Sequence, residues 1–185
     1  VTGPTAEPVT LAEAKAQCYY TANNQDDYIS GLITTARLFA ETKQRRQLMT
    51  ATLRYCLDGW PDEDEIRLPR PPLQSVTSIA YIDTSGVTQT WDASNYDVDI
   101  YAEPGRVALG WAKIYPVIRT VAKAVTITYV AGYATADAVP QYTKQWIKLA
   151  VGALFGNREV SSDVVLSDFG FANSLLEAGC WGDYP

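Results

Sequence analysis

The chain has 185 residues, 47% of them hydrophobic and 19% charged, with a formal net charge of −6. That length suits one domain of about 100–200 residues, or one with a small appendage, and the composition excludes wholesale disorder. No run approaches ~18 consecutive apolar residues, so no membrane-spanning helix is expected, and the lack of any histidine excludes Ser–His and Cys–His catalysis and His-ligated zinc.

Val1 to Pro8 has neither a basic start nor an apolar run, so no secretory signal is expected there. Thr10-Leu11-Ala12-Glu13 reads as a capping box that opens a short helix to about Gln17. Asn23 to Asp27 is a polar break with acids placed for a second helix start. Ile29, Leu32, Ile33, Ala36, Phe39 and Ala40 follow at helical spacing and predict one apolar stripe. The period changes at Ala51, where Leu53, Tyr55 and Leu57 alternate with polar residues as in a strand. Short strands are predicted at Ile66–Leu68, Ser75–Ile82, Val87–Trp91, Tyr96–Ile100, Arg106–Leu109 and Ala124–Val130. Asp83-Thr84-Ser85-Gly86 is the turn of one hairpin. Pro140 suits the first turn of a last long helix, with Tyr142, Trp146, Leu149, Ala150, Ala153 and Leu154 as its buried stripe.

Strands segregated from helices argue for an α+β fold. The expected architecture is a small helical bundle built from residues 1–49 and 131–158, an antiparallel β-rich insertion at 50–130, and a C-terminal tail at 159–185. The three cysteines, Cys18, Cys56 and Cys180, have no metal-ligand spacing and read as reduced thiols, with a Cys18–Cys56 bridge left open.

Charge is unevenly distributed. Residues 57–105 hold two basic and ten acidic side chains, and residues 106–158 hold seven basic and one acidic. Chance along a folded chain produces such blocks; so does a subunit with opposed charged faces that meets copies of itself head to tail. The run Asp62-Glu63-Asp64-Glu65 reads as a solvated loop, because adjacent acids point in different directions and do not wrap an ion. Asp97 and Asp99 share one face of a strand, but nothing else completes a hydrolytic pair with them. The tryptophans and tyrosines suit a core or a protein interface. No phosphate-binding loop and no nucleophile elbow is present. The residues call for no cofactor and no metal.

The order of segments is informative as a whole. It runs Val9-Thr10-Leu11-Ala12-Glu13-Ala14-Lys15, Asp26-Asp27, Leu57-Asp58-Gly59-Trp60-Pro61, and Ile66-Arg67-Leu68-Pro69-Arg70-Pro71-Pro72-Leu73-Gln74-Ser75-Val76. It continues with Tyr96-Asp97-Val98-Asp99, Tyr129-Val130-Ala131-Gly132-Tyr133, Val139-Pro140 and Asn157-Arg158-Glu159. This series resembles the head–tail connector (adaptor, or head-completion) proteins of long-tailed bacteriophages and phage-like particles over residues 9 to 159. The resemblance implies a non-enzymatic virion protein, made in the host cytoplasm, that forms a closed assembly of typically twelve copies under the portal. Such an assembly extends the DNA channel, lets genomic DNA pass without sequence-specific binding, and receives a neck stopper or tail-completion protein. It implies no membrane partner. The segment after the last long helix would reach the portal, with Asn157, Arg158, Phe169, Phe171, Leu175, Leu176, Trp181 and Tyr184 as candidates. Contacts between subunits would use Asp62, Glu63, Asp64, Glu65, Arg67, Arg70, Lys113, Arg119 and Lys123. A carbohydrate- or peptide-binding β module and a carboxylate-dependent hydrolase are the other classes considered.

Overall fold

In the computed structural model, residues 1–157 and 170–180 are described. The chain divides into two compact units: Val1–Pro4 with Thr50–Tyr133, and Thr5–Met49 with the chain from Ala134 onward.

The first unit is all β. Its strands are β1 (Ala51–Leu57), β2 (Glu65–Arg67), β3 (Leu73–Ile82), β4 (Thr88–Trp91), β5 (Tyr96–Asp99), β6 (Arg106–Leu109) and β7 (Val125–Ala131). They form two antiparallel sheets, ordered β1-β7-β3-β4 and β2-β6-β5. Alternation of β-branched and aromatic residues puts β7 at the centre of the larger sheet. Val125, Ile127, Tyr129 and Ala131 face the core while Thr126, Thr128 and Val130 line the other side. Ile127 sits opposite Tyr55 of β1 and Ile79 of β3. The core also takes Ile66, Leu68, Leu73, Trp91 and Val107, each large side chain contributing about 1.5–3 kcal/mol by leaving water. The Tyr129 hydroxyl donates to the Pro69 carbonyl at 2.7 Å, so its polar tip is satisfied. Gly105 is required by packing, since a Cβ there would fall 2.3 Å from Leu73 Cβ.

The second unit is helical: α1 (Leu11–Gln17), α2 (Asp26–Gln44), α3 (Gln141–Gly156) and α4 (Gly170–Glu177). The capping box forms: Glu13 N–H donates to Thr10 Oγ1 at 3.2 Å, and Thr10 N–H donates to Glu13 Oε2 at 2.8 Å. Backbone and hydroxyl donation from Thr10 holds the Glu13 carboxyl below its ordinary range. Lys15 Nζ reaches Asp26 at 2.7 Å and ties α1 to the start of α2. The helix α2 ends in the left-handed Arg45 (φ 55°), whose N–H returns to the carbonyls of Glu41 and Thr42.

Two stripes differ from the sequence expectation. On α2, Phe39 is 49% exposed. It lies flat against Trp146 at 5.3 Å, while Arg37, Glu41 and Gln44 are buried in its place. On α3 the buried set is Thr143, Lys144, Trp146, Ile147, Ala150 and Val151. The face is rotated from the predicted one because α1, α2 and α4 all pack on this helix. The helix α4 is a further difference. Leu176, expected at a portal surface, is 0% exposed in the core of its own unit, and its carbonyl accepts from Gln44 Nε2 at 3.1 Å.

Candidate assembly surface

The β unit ends in a cluster of aromatic side chains that anchors its longest connection. Trp60 stacks on Tyr115 with centroids 4.7 Å apart and planes 12° apart, and meets Trp91 at 5.0 Å. Trp91 in turn meets Tyr96 at 5.1 Å. Trp60 Nε1 donates to the Pro116 carbonyl at 2.9 Å, and the Tyr115 hydroxyl donates to the Glu63 carbonyl at 3.2 Å. Burial, with Asp64 and Glu65 nearby, pushes the Tyr115 phenol up to about 12, so it stays protonated and keeps donating.

This pinning orients the β6–β7 connection, residues 110–124. Tyr115 and Ile118 pack on the β core, whereas Trp111, Ile114 and Val117 are 96%, 84% and 78% exposed. Trp111 and Ala112 are the central residues of a turn closed by Lys113 N–H to the Gly110 carbonyl at 3.0 Å. Ala112 holds φ 57° there, a conformation that L-residues with a Cβ adopt at some cost. Three large apolar side chains presented by an anchored loop make this connection a candidate interaction surface.

The charged candidates lie in the same unit. Asp62, Glu63 and Asp64 are exposed. Lys113, Arg119 and Lys123 are exposed and make no ion pair among the described residues. Arg119 lies over the β3–β4 turn, where a Cβ on Gly86 (φ +84°) would come within 2.7 Å of Arg119 Nη1. Glu65 is occupied within its own chain: it accepts from Arg67 at 2.9 Å and from Arg106 at 2.8 Å, and Arg106 also reaches Asp99 at 3.2 Å. Arg70 is exposed at φ 59° between two prolines.

The idea of acidic and basic blocks on opposed sides is corrected for this unit. Acidic β5 pairs with β6, Lys123 N–H donates to Asp58 Oδ1 at 2.7 Å, and Tyr115 is bonded to the acidic loop. The two blocks are interleaved because antiparallel pairing folds one back on the other.

The Glu65–Arg106–Asp99 chain predicts a pH effect. Donation from Arg67, then Arg106, holds the Glu65 carboxyl below its ordinary 4.5. Backbone donation from Ala102 and Tyr101, then Arg106, holds Asp99 below 3.8. Depressed carboxyls add stability that is complete above the unfolded values and is lost as pH falls through the folded ones. The melting temperature of the β unit is therefore expected to drop on acidification below about pH 4.5. Arg106→Gln should flatten that acid limb, as thermal scans across pH will show.

Of the portal-facing candidates, Asn157 is exposed, Leu175 is half-buried and Leu176 is buried. Arg158, Phe169, Trp181, Tyr184 and the side chain of Phe171 lie outside the described residues. Asp97 is exposed and Asp99 is bound to Arg106. The three cysteines are free thiols. Among the described residues, no cluster of three or more His, Cys, Asp or Glu could hold a metal ion, and no helix is long and apolar enough to cross a membrane. The exposed Trp111–Val117 loop escaped sequence reasoning, since only the fold shows which of the aromatic and β-branched residues are left outside.

No protein-family model matches the chain, and no curated protein sequence matches it. Solved structures do. A chain of the virion of a native gene transfer agent particle superposes with a TM-score of 0.80 at 19% identity, covering 100% of this chain and 95% of that one. A chain from the neck of an empty gene transfer agent particle, computed with C6 symmetry, gives 0.78 at 19% identity, covering 99% and 96%. A chain from the neck of the native particle, computed with C12 symmetry, gives 0.71 at 18% identity, covering 97% and 96%. The chain shares the α+β fold of these neck and virion proteins along its full length.

Proposed function

We propose that this chain is a structural, non-enzymatic subunit of a phage-like neck: a head–tail connector that closes into a ring between the portal and the next neck or tail protein. The observation that carries the reading is the end-to-end likeness of fold to chains from gene transfer agent necks, one of them treated with C12 symmetry. Twelve copies are the proposed number on that basis. A cyclic assembly needs heterologous contacts, in which one patch meets a different patch of the next copy. The exposed loop with its charged surroundings, Asp62 to Asp64 and Lys113, Arg119 and Lys123, supplies one such patch. The net charge of −6 suits a conduit through which a polyanion slides without being held.

Portal attachment is assigned to the segment after α3, with Asn157 and Leu175 accessible in different degrees and Leu176 excluded by its burial. Particles in which the chain carries a label, imaged by electron cryo-microscopy, test the reading. Label at the portal-proximal neck supports it, and label elsewhere overturns it.

A further inference from the structure

We infer that Gln74 latches together the places where the chain passes between its two units, so that the crossings move as one body with the larger β sheet. The inference goes beyond the ring reading and does not depend on it.

The chain crosses three times: after Pro4, before Thr50 and after Tyr133. On the β side all three crossings gather at one end of the β1–β7 pair, where Ala51 lies opposite Ala131. Thr2 is bridged to Thr52, with its N–H on the Thr52 carbonyl at 3.1 Å and its carbonyl on the Thr52 N–H at 3.0 Å. Thr50 stands one residue before β1, and Gly132 and Tyr133 directly follow β7.

The pairing of β3 with β7 shifts between Leu73 and Ser75, which leaves Gln74 as the extra residue of a bulge. A bulge takes a residue out of the ladder and re-aims its side chain. Here the side chain reaches both later crossings. Gln74 Nε2 donates to the Gly132 carbonyl at 2.6 Å and to Thr50 Oγ1 at 2.8 Å. The Thr50 hydroxyl passes its own proton to the Tyr133 carbonyl at 3.1 Å. Since both partners of Gln74 can only accept, the NH2 end of the amide is the end that fits. One side chain thus ties the second crossing to the third, and Thr52 joins the first to the second.

The run Leu68–Val76, conspicuous in the sequence for its prolines, supplies the rest of the fastening. Prolines cannot donate to a ladder, and the carbonyls of Pro69 and Pro72 accept instead, from the Tyr129 hydroxyl at 2.7 Å and from the Gly132 N–H at 2.9 Å. Gly132 holds φ 107°, a conformation open to glycine, and this turns the chain out of the sheet immediately after β7. The bonds at Thr50 and Gly132 share donors and acceptors, so losing one loosens the others. With the latch closed, a change in the arrangement of the two units is taken up by chain outside residues 50–133, not by the end of the sheet.

Amide hydrogen exchange on the full chain tests this. Gln74→Met keeps the length of the side chain and removes its donor. Exchange at Thr52 and Gly132, which belong to different crossings, is expected to speed up together by about tenfold or more. The amides of Thr126, Ile127 and Thr128 at the sheet centre should keep wild-type protection. Acceleration at Gly132 alone, or at neither amide, overturns the latch. If Gln74→Met opens the whole sheet, Thr50→Val removes the shared hydroxyl at an exposed position and should give the same joint response; protection of both amides in that variant overturns the proposal. In parallel, spin labels carried on p-acetylphenylalanine in place of Leu38 and Val87, exposed positions in the two units, report the distance between units by pulsed electron paramagnetic resonance. The distribution is expected to broaden in Gln74→Met, and an unchanged width overturns the claim that the latch holds the crossings as one body.

Discussion

Glu41→Ala is expected to destabilise the helical unit by about 3–5 kcal/mol, a large fraction of an ordinary domain's stability. Glu41 is buried, and its two oxygens carry three bonds. Oε2 accepts from Arg37 Nη1 at 3.0 Å; Oε1 accepts from Gln47 Nε2 at 2.8 Å and from the Leu48 N–H at 3.1 Å. Removing the carboxylate leaves the buried Arg37 guanidinium to Glu7 alone, which accepts from Arg37 Nε at 2.7 Å. It also strips the acceptor from a buried amide and a buried backbone donor, each costing about 1–3 kcal/mol when unmade. Glu41→Gln keeps the shape and one or two acceptor bonds, so it should cost less. Urea unfolding, with hydrogen exchange of α2 amides to isolate this unit, measures both. A loss below about 1 kcal/mol for the alanine variant would show that the network does not hold α2 in place.

The second large effect concerns α4. Leu176→Ala is expected to cost about 2–5 kcal/mol, because it empties a fully buried site between helices. The carbonyls of α4 are engaged as well. Gln44 Nε2 donates to Leu176 O and to Thr143 Oγ1, both at 3.1 Å, and Arg46 Nε donates to Gly179 O at 2.8 Å. A Cβ on Gly179 would fall 2.3 Å from Gln44 Nε2, so the chain there approaches as closely as a glycine allows. Exchange protection of the α4 amides should fall together with global stability. If Leu176 faces a partner instead, alanine will leave the isolated chain within about 0.5 kcal/mol of wild type and will weaken docking alone.

The legible parts of the fold were those written in local pattern. The box at Thr10 and Glu13 forms as spaced, and the alternation from Ala51 to Leu57 is a strand over the same residues. Gly86 closes the β3–β4 turn at φ +84°, with its N–H on the Asp83 carbonyl at 2.9 Å. The division of seven strands into two sheets was not legible, because pairing partners are set by contacts distant in sequence. The buried ion network on α2 was missed for a related reason. Arg37, Glu41 and Gln44 lie outside the apolar stripe named from the sequence, and only the fold brings Glu7, Gln47 and Thr143 to meet them. The stretch holding α4 read as a partner-binding tail because its apolar residues are few and its surroundings acidic; the packing that buries Leu176 comes from α2 and α3. Of the candidate surface, the charged residues could be named from sequence. Their arrangement could not, since antiparallel pairing mixes two blocks that are separate along the chain.

The most direct test of the central claim is an electron cryo-microscopy map of the neck of particles carrying this chain with a small density tag. The expected result is a closed ring of tagged density around the DNA channel against the portal, with about twelve tags if the C12 treatment of the similar neck applies. Tags absent from the neck, or a single copy without rotational symmetry, would contradict it.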